Sequence, residues 1–182
     1  MQPTKQLVKI LAGLADDEHY LFSFVDLKGA MPEQSQGGFK ALVCRAVKDG
    51  LLKRICRGLY LYPAVEYPRG LELFHAAARL RAGTFNYISL ETALSDAGVI
   101  SQIPMSWITV MSSGRSHIVN CGEFGRIEFV HTKKRPENLT DHLIYDSRCR
   151  LWRASVALAI KDMQATKRST DLIDWDAANE LV

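Results

Sequence analysis

An α+β fold in two parts is predicted by three observations on this 182-residue chain. Apolar residues recur at helical spacing through the first part, at Leu7, Ile10, Leu11 and Leu14 and again at Phe39, Leu42, Val43, Ala46 and Val47. From Met105 onward the period changes to two, as strands of a half-buried sheet require. Between these regions, Tyr62 to Arg69 (YPAVEYPR) carries two prolines and reads as a linker, which sets domains at 1–63 and 64–182.

In the first part, Pro3 and Thr4 open a helix that ends between Gly13 and Glu18. Tyr20, Leu21 and Phe22 form a short apolar run of strand length. Ser23 is placed to cap a second helix, with Asp26 three residues on in a loose capping box and Gly29 at the end. A turn holding Pro32 leads to the third helix, whose apolar stripe runs from Phe39 to Val47 and which stops at Gly50, a residue free to take the left-handed C′ conformation. Gly37 and Gly38 weaken its first turn, so the helix starts either before them or at Phe39. LLKRI then reads as a strand, Arg57 and Gly58 as a tight turn, and Leu59 to Tyr62 as the returning strand up to Pro63. Helix, short strand, helix, turn, helix and hairpin is the order of a winged helix-turn-helix.

Charge gives this order a meaning. Ser35 to Tyr62 holds Lys40, Arg45, Lys48, Lys53, Arg54 and Arg57 against Asp49 alone, a net +5, whereas the chain carries +3. Residues 1–63 have nine Lys/Arg and six Asp/Glu, and residues 64–182 have fourteen of each. A helix and hairpin that are cationic on the outside suit double-stranded DNA, whose condensed counterions are released when Lys and Arg replace them. In a helix-turn-helix the N-terminal residues of the recognition helix approach base edges, which assigns Gln34, Ser35, Gln36 and Lys40 to that role. Gln suits adenine and Lys suits guanine. Arg45, Lys48, Lys53, Arg54 and Arg57 supply the cationic face and wing for the flanking backbone. An ordinary solvated amphipathic helix is the alternative to this reading.

The second part predicts a helix over Gly70 to Ala82 and another from an N-cap at Ser89 to Gly98. Strands follow at Trp107 to Met111, Ser116 to Cys121 and Gly125 to His131, with Gly122 in a turn, as a small antiparallel sheet. Lys133, Lys134 and Arg135 read as a solvated loop, or else as an auxiliary phosphate contact. Arg148 to Ala165 predicts a helix, and Asp171 to Val182, with Trp175, a short terminal one.

Several classes are disfavoured. No apolar run approaches the ~20 residues that cross a bilayer, and Met1 precedes a polar segment, so a cytoplasmic protein without membrane contact is expected. Cys44, Cys56, Cys121 and Cys149 are far apart and without histidines at ligand spacing, so reduced thiols and no metal are expected. No H-E-x-x-H, no G-x-S-x-G and no phosphate-binding Gly-rich loop occurs. Cys121 with His131 is most simply a buried thiol and a surface imidazole; Glu123, Glu128 and Lys133 read as polar positions on an exposed sheet face. No catalytic residue and no cofactor are expected.

The wing DGLLKRICRGLYLYP, with Arg57-Gly58-Leu59-Tyr60 at its turn, followed by YISLETALSDAGVI and the hairpin VNCGEFGRIEFVH, resembles the AbiEi family of antitoxins from type IV abortive-infection toxin–antitoxin systems. The resemblance spans about Leu7 to Val130; RLWRASVALAIKD departs from the acid-plus-Ala-Leu-Leu-Asp helix of that family. It implies an N-terminal winged helix-turn-helix on the operon's own promoter, at inverted repeats, followed by an α+β antitoxin domain. It also implies autorepression and neutralisation of a nucleotidyltransferase-like toxin without a stable complex. Two other classes stand beside it: a winged-helix regulator or protein-interaction module of a defence or mobile element, and an enzyme whose second domain carries an unrecognised centre.

Overall fold

The computed structural model describes residues 2–101, 103 and 106–182, which fall into two compact units, Met1–Gly70 and Leu71–Val182. The expected onset of the sheet at Met105 lies outside the described residues.

The first unit runs α1 (Pro3–Leu14), β1 (Leu21–Ser23), α2 (Phe24–Gly29), α3 (Gln36–Lys48), β2 (Lys53–Cys56) and β3 (Leu59–Leu61). The capping box forms as the sequence requires: Asp26 N–H donates to Ser23 Oγ at 3.1 Å and Ser23 N–H to the Asp26 carboxylate at 2.8 Å. Ser35 caps α3 by accepting from Gly38 N–H at 3.2 Å, so this helix begins before the two glycines and not at Phe39. At its far end Gly50 takes φ +74° and the chain folds back, with Leu51 N–H donating to Ala46 O at 2.8 Å. The three strands pair antiparallel in the order β1-β3-β2. Leu7, Leu11, Leu27, Phe39, Leu42, Val43 and Ala46 close one core under the three helices, joined by Leu52 and Tyr62. Each of the larger apolar side chains contributes about 1.5–3 kcal/mol by leaving water.

The unit extends past the expected end at Pro63. Tyr67 is buried and stacks on Tyr20 with ring centroids 4.6 Å apart, and the Arg69 guanidinium lies 4.2 Å from the Tyr67 ring. The proline-rich stretch is therefore packed chain, and the division falls at Gly70.

The second unit contains α4 (Glu72–Leu80), β4 (Asn86–Ile88), α5 (Leu90–Asp96), β5 (Trp107–Ser112), β6 (His117–Asn120), β7 (Arg126–His131), β8 (Leu143–Asp146), β9 (Leu151–Ala154), α6 (Val156–Ala165) and α7 (Trp175–Glu180). Six strands form one sheet in the order β6-β7-β5-β4-β9-β8. The expected antiparallel sheet is corrected here: β5–β7 and β4–β9 pair parallel, and only β4–β5, β6–β7 and β8–β9 pair antiparallel. The expected helix from Arg148 is corrected as well. LWRA is strand β9, because Ser155 caps α6 by accepting from Leu158 N–H at 3.2 Å and so marks where the helix starts.

Candidate nucleic-acid interface

The 3.6-residue period of α3 decides which side chains it shows to solvent. Phe39, Leu42, Val43 and Ala46 are buried, and Gln36, Lys40, Cys44 and Lys48, four residues apart, form an exposed stripe with Arg45 beside it. Ser35 is exposed at the N-cap and Gln34 is half-buried. Gly38 carries the tightest constraint in this turn, since a Cβ there would stand 3.0 Å from Ser35 Oγ. The first turn thus offers exposed backbone at the positive end of the helix dipole, beside Gln36 and Lys40.

Alternation along the hairpin splits the remaining cations. Arg54 is the register partner of Tyr60, so both lie on one face, whereas Lys53 pairs with Leu61 and lies on the other. Arg57 is exposed in the turn before Gly58. Burial pushes the Tyr60 phenol up from the ordinary value, while Arg54 pulls it down and the Cys44 and Cys56 thiols push it up. Arg54 and Tyr60 thus share the hairpin face opposite to Lys53. Lys53 is exposed on the opposite face from Arg54.

The chemistry sought in the second unit is differently arranged. Cys121 is buried at the turn end of the β6–β7 hairpin, near the Asn120–Arg126 pair, while His131 is at the opposite end of β7 with its Nδ1 2.9 Å from Gly114 O. Glu128, expected on an exposed sheet face, is instead half-buried. It accepts from Arg168 and from Trp107 Nε1 at 3.3 Å, and Arg168 also binds Glu91 at 2.8 Å. These groups border a cavity of about 250 Å³. Glu123 and Lys133 are exposed.

Lys134 corrects the reading of its loop as solvated. Its Nζ donates at 2.6 Å to Asp162, a carboxylate with no solvent exposure that also accepts from Ser89 Oγ at 2.7 Å and Tyr87 OH at 3.0 Å. Burial and the Asp162 charge push the Tyr87 phenol far above its ordinary value, which keeps it a neutral donor. Ser89 does occupy the N-cap position of α5, but its hydroxyl is spent on Asp162 and makes no cap bond. No sequence pattern points to this cluster, because Asp162 lies in an apolar helix stripe and its donors come from β4, from the N-cap of α5 and from the loop after β7.

Among the described residues no group of three or more His, Cys, Asp and Glu can hold a metal ion, and no helix is long and apolar enough to cross a membrane. No protein-family model and no curated protein matches this chain.

Proposed function

We propose that the first unit is a winged helix-turn-helix that binds double-stranded DNA, and that the protein is a non-enzymatic transcriptional repressor acting as the antitoxin of a type IV toxin–antitoxin operon. One observation carries the DNA reading: Gln36, Lys40, Arg45 and Lys48 are all exposed on one helix, which leads directly into a hairpin on which Arg54 and Arg57 are exposed. In this reading α3 lies in the major groove, its first turn at base edges, and Arg54 and Arg57 meet the adjoining phosphates. The element order and the β1-β3-β2 sheet support it. The antitoxin role rests on the resemblance of the wing and of Tyr87 to Gly98 to the AbiEi family. The cellular site that follows is the cytoplasm, and the toxin is a functional partner held in no stable complex.

A gel-shift titration at fixed salt tests the DNA reading, using duplex from the chain's own upstream region. The joint change Lys40→Ala, Lys48→Ala and Arg54→Ala should abolish the shift. Retention of full affinity would refute the groove assignment. Co-expression with the product of the adjacent reading frame tests the antitoxin role: rescue of growth supports it, and continued growth arrest removes it.

A further inference from the structure

We propose that the β8–β9 edge of the second unit is a stacking platform for single-stranded nucleic acid. Tyr145 and Trp152 are register partners across these strands, so they share one face of the sheet. Their rings meet edge to face with centroids 5.4 Å apart, yet Tyr145 stays 51% and Trp152 44% exposed. Two large aromatic rings left half-exposed beside each other at a sheet edge form a surface that gains from being covered.

The charge around them selects the occupant. Both rings line an open hollow of about 200 Å³ together with Phe85, Arg81 and Arg150, and no carboxylate lines it. Arg81 is fixed there, donating to Ser112 Oγ at 3.0 Å and to Arg115 O at 2.7 Å with its guanidinium 4.2 Å from the Phe129 ring. Arg150 holds φ +58° at the turn into β9, a left-handed conformation that costs a non-glycine residue free energy. The nearest carboxylate on β8, Asp146, alternates to the opposite face and is bound by Arg153 at 3.0 Å. A flat π-face with an anionic linkage beside it fits this set, which is the repeating chemistry of a nucleotide strand. A duplex does not fit, because its base faces are stacked inside. An acidic peptide supplies the charge without the flat faces. The platform is on the second unit, whereas the proposed duplex site is on the first.

The test uses the full chain, about ten-nucleotide fluorescein-labelled oligo(dT) and oligo(rU), and a duplex as reference, followed by anisotropy at fixed salt. Trp152→Leu should weaken single-strand binding at least about five-fold and leave duplex binding in place, while Trp152→Phe, which keeps a π-face, stays within about two-fold. Arg150→Gln, which leaves the aromatic pair intact, should flatten the salt dependence for single strands by about 0.7. Binding of either oligonucleotide with these responses supports the platform, because both offer the same flat bases and phosphate linkages. The proposal is overturned if neither oligonucleotide binds, if Trp152→Leu binds both as the parent does, or if it loses single strand and duplex in parallel. Should Trp152→Leu not fold, an unchanged salt slope in Arg150→Gln overturns it instead.

Discussion

At the scale of single residues, the proposed DNA reading assigns different roles to the hairpin turn and to the first turn of α3. Arg57 sits in the turn with its charge in solvent, where it can meet a phosphate but read no base. Arg57→Ala is expected to weaken binding to all duplexes alike and to lower the slope of log K against log salt by about 0.9. Gln36, in the first turn of α3, is expected to do the reverse. Gln36→Ala should leave the slope unchanged and narrow the gap between promoter and unrelated duplex, as competition titrations would show. A different residue governs behaviour at high pH. Burial and the neighbouring Asp146 carboxylate push the Cys149 thiol up from 9.0 to about 11, against the opposing pull of Arg153. Because the folded value is the higher one, the neutral thiol stabilises the fold fully below pH 9, and that contribution is lost as pH rises through 11. Every tenfold gain in proton affinity on folding is worth about 1.4 kcal/mol. Denaturant midpoints should therefore fall between those pH values, and those of Cys149→Ala should fall less.

At the scale of elements, two positions in the second unit should tolerate change poorly. Asp162 ties α6 to β4 and to the loop after β7 through three donors. Asp162→Ala removes the shared acceptor of a half-buried lysine and two buried hydroxyls and should cost about 1–3 kcal/mol, with Asp162→Asn costing less because it still accepts hydrogen bonds. Gly125 holds φ +112° where a Cβ would stand 1.9 Å from Ser106 O. Gly125→Ala should lose about 1–3 kcal/mol from the backbone alone, and more from that overlap, in a thermal melt. These elements also mark what is legible in the sequence. Helix caps made by local chemistry are: Ser23 with Asp26 needs only three residues to announce itself. Ser89 looks like the same signal, but its hydroxyl goes to a carboxylate 73 residues away, which no local pattern reveals. Strand β9 reads as helix because Leu151, Ser155, Leu158 and Ala159 keep helical spacing across a strand–helix junction. The parallel pairs β4–β9 and β5–β7 join distant segments and leave no trace in local alternation. The α3 stripe is readable from its period. The splitting of Lys53 from Arg54 follows from a period of two within the wing, once the register is known.

At the scale of the whole molecule, the charge is segregated while each unit closes its own core. Residues 1–63 carry the entire excess of three positive charges, and residues 64–182 carry none. A long-range field from the first unit should therefore steer duplex DNA to α3, and the chain has its own reporter there. Of the four cysteines, Cys44 alone is exposed, in line with Lys40 and Lys48, while Cys56, Cys121 and Cys149 are buried. A thiol-specific reagent such as DTNB should modify one thiol per native chain quickly, and the other three only on unfolding. If α3 enters the major groove, saturating promoter duplex covers that thiol and should slow its modification at least about ten-fold, because the reagent must then wait for dissociation. Modification carried out first should in turn block duplex binding, since a bulky group on the stripe cannot be accommodated at the groove floor. The same duplex at high salt, where counterion release no longer favours the complex, should restore the free rate. An unchanged rate at saturating duplex would place the DNA on some other face of the first unit, whatever the affinity measured.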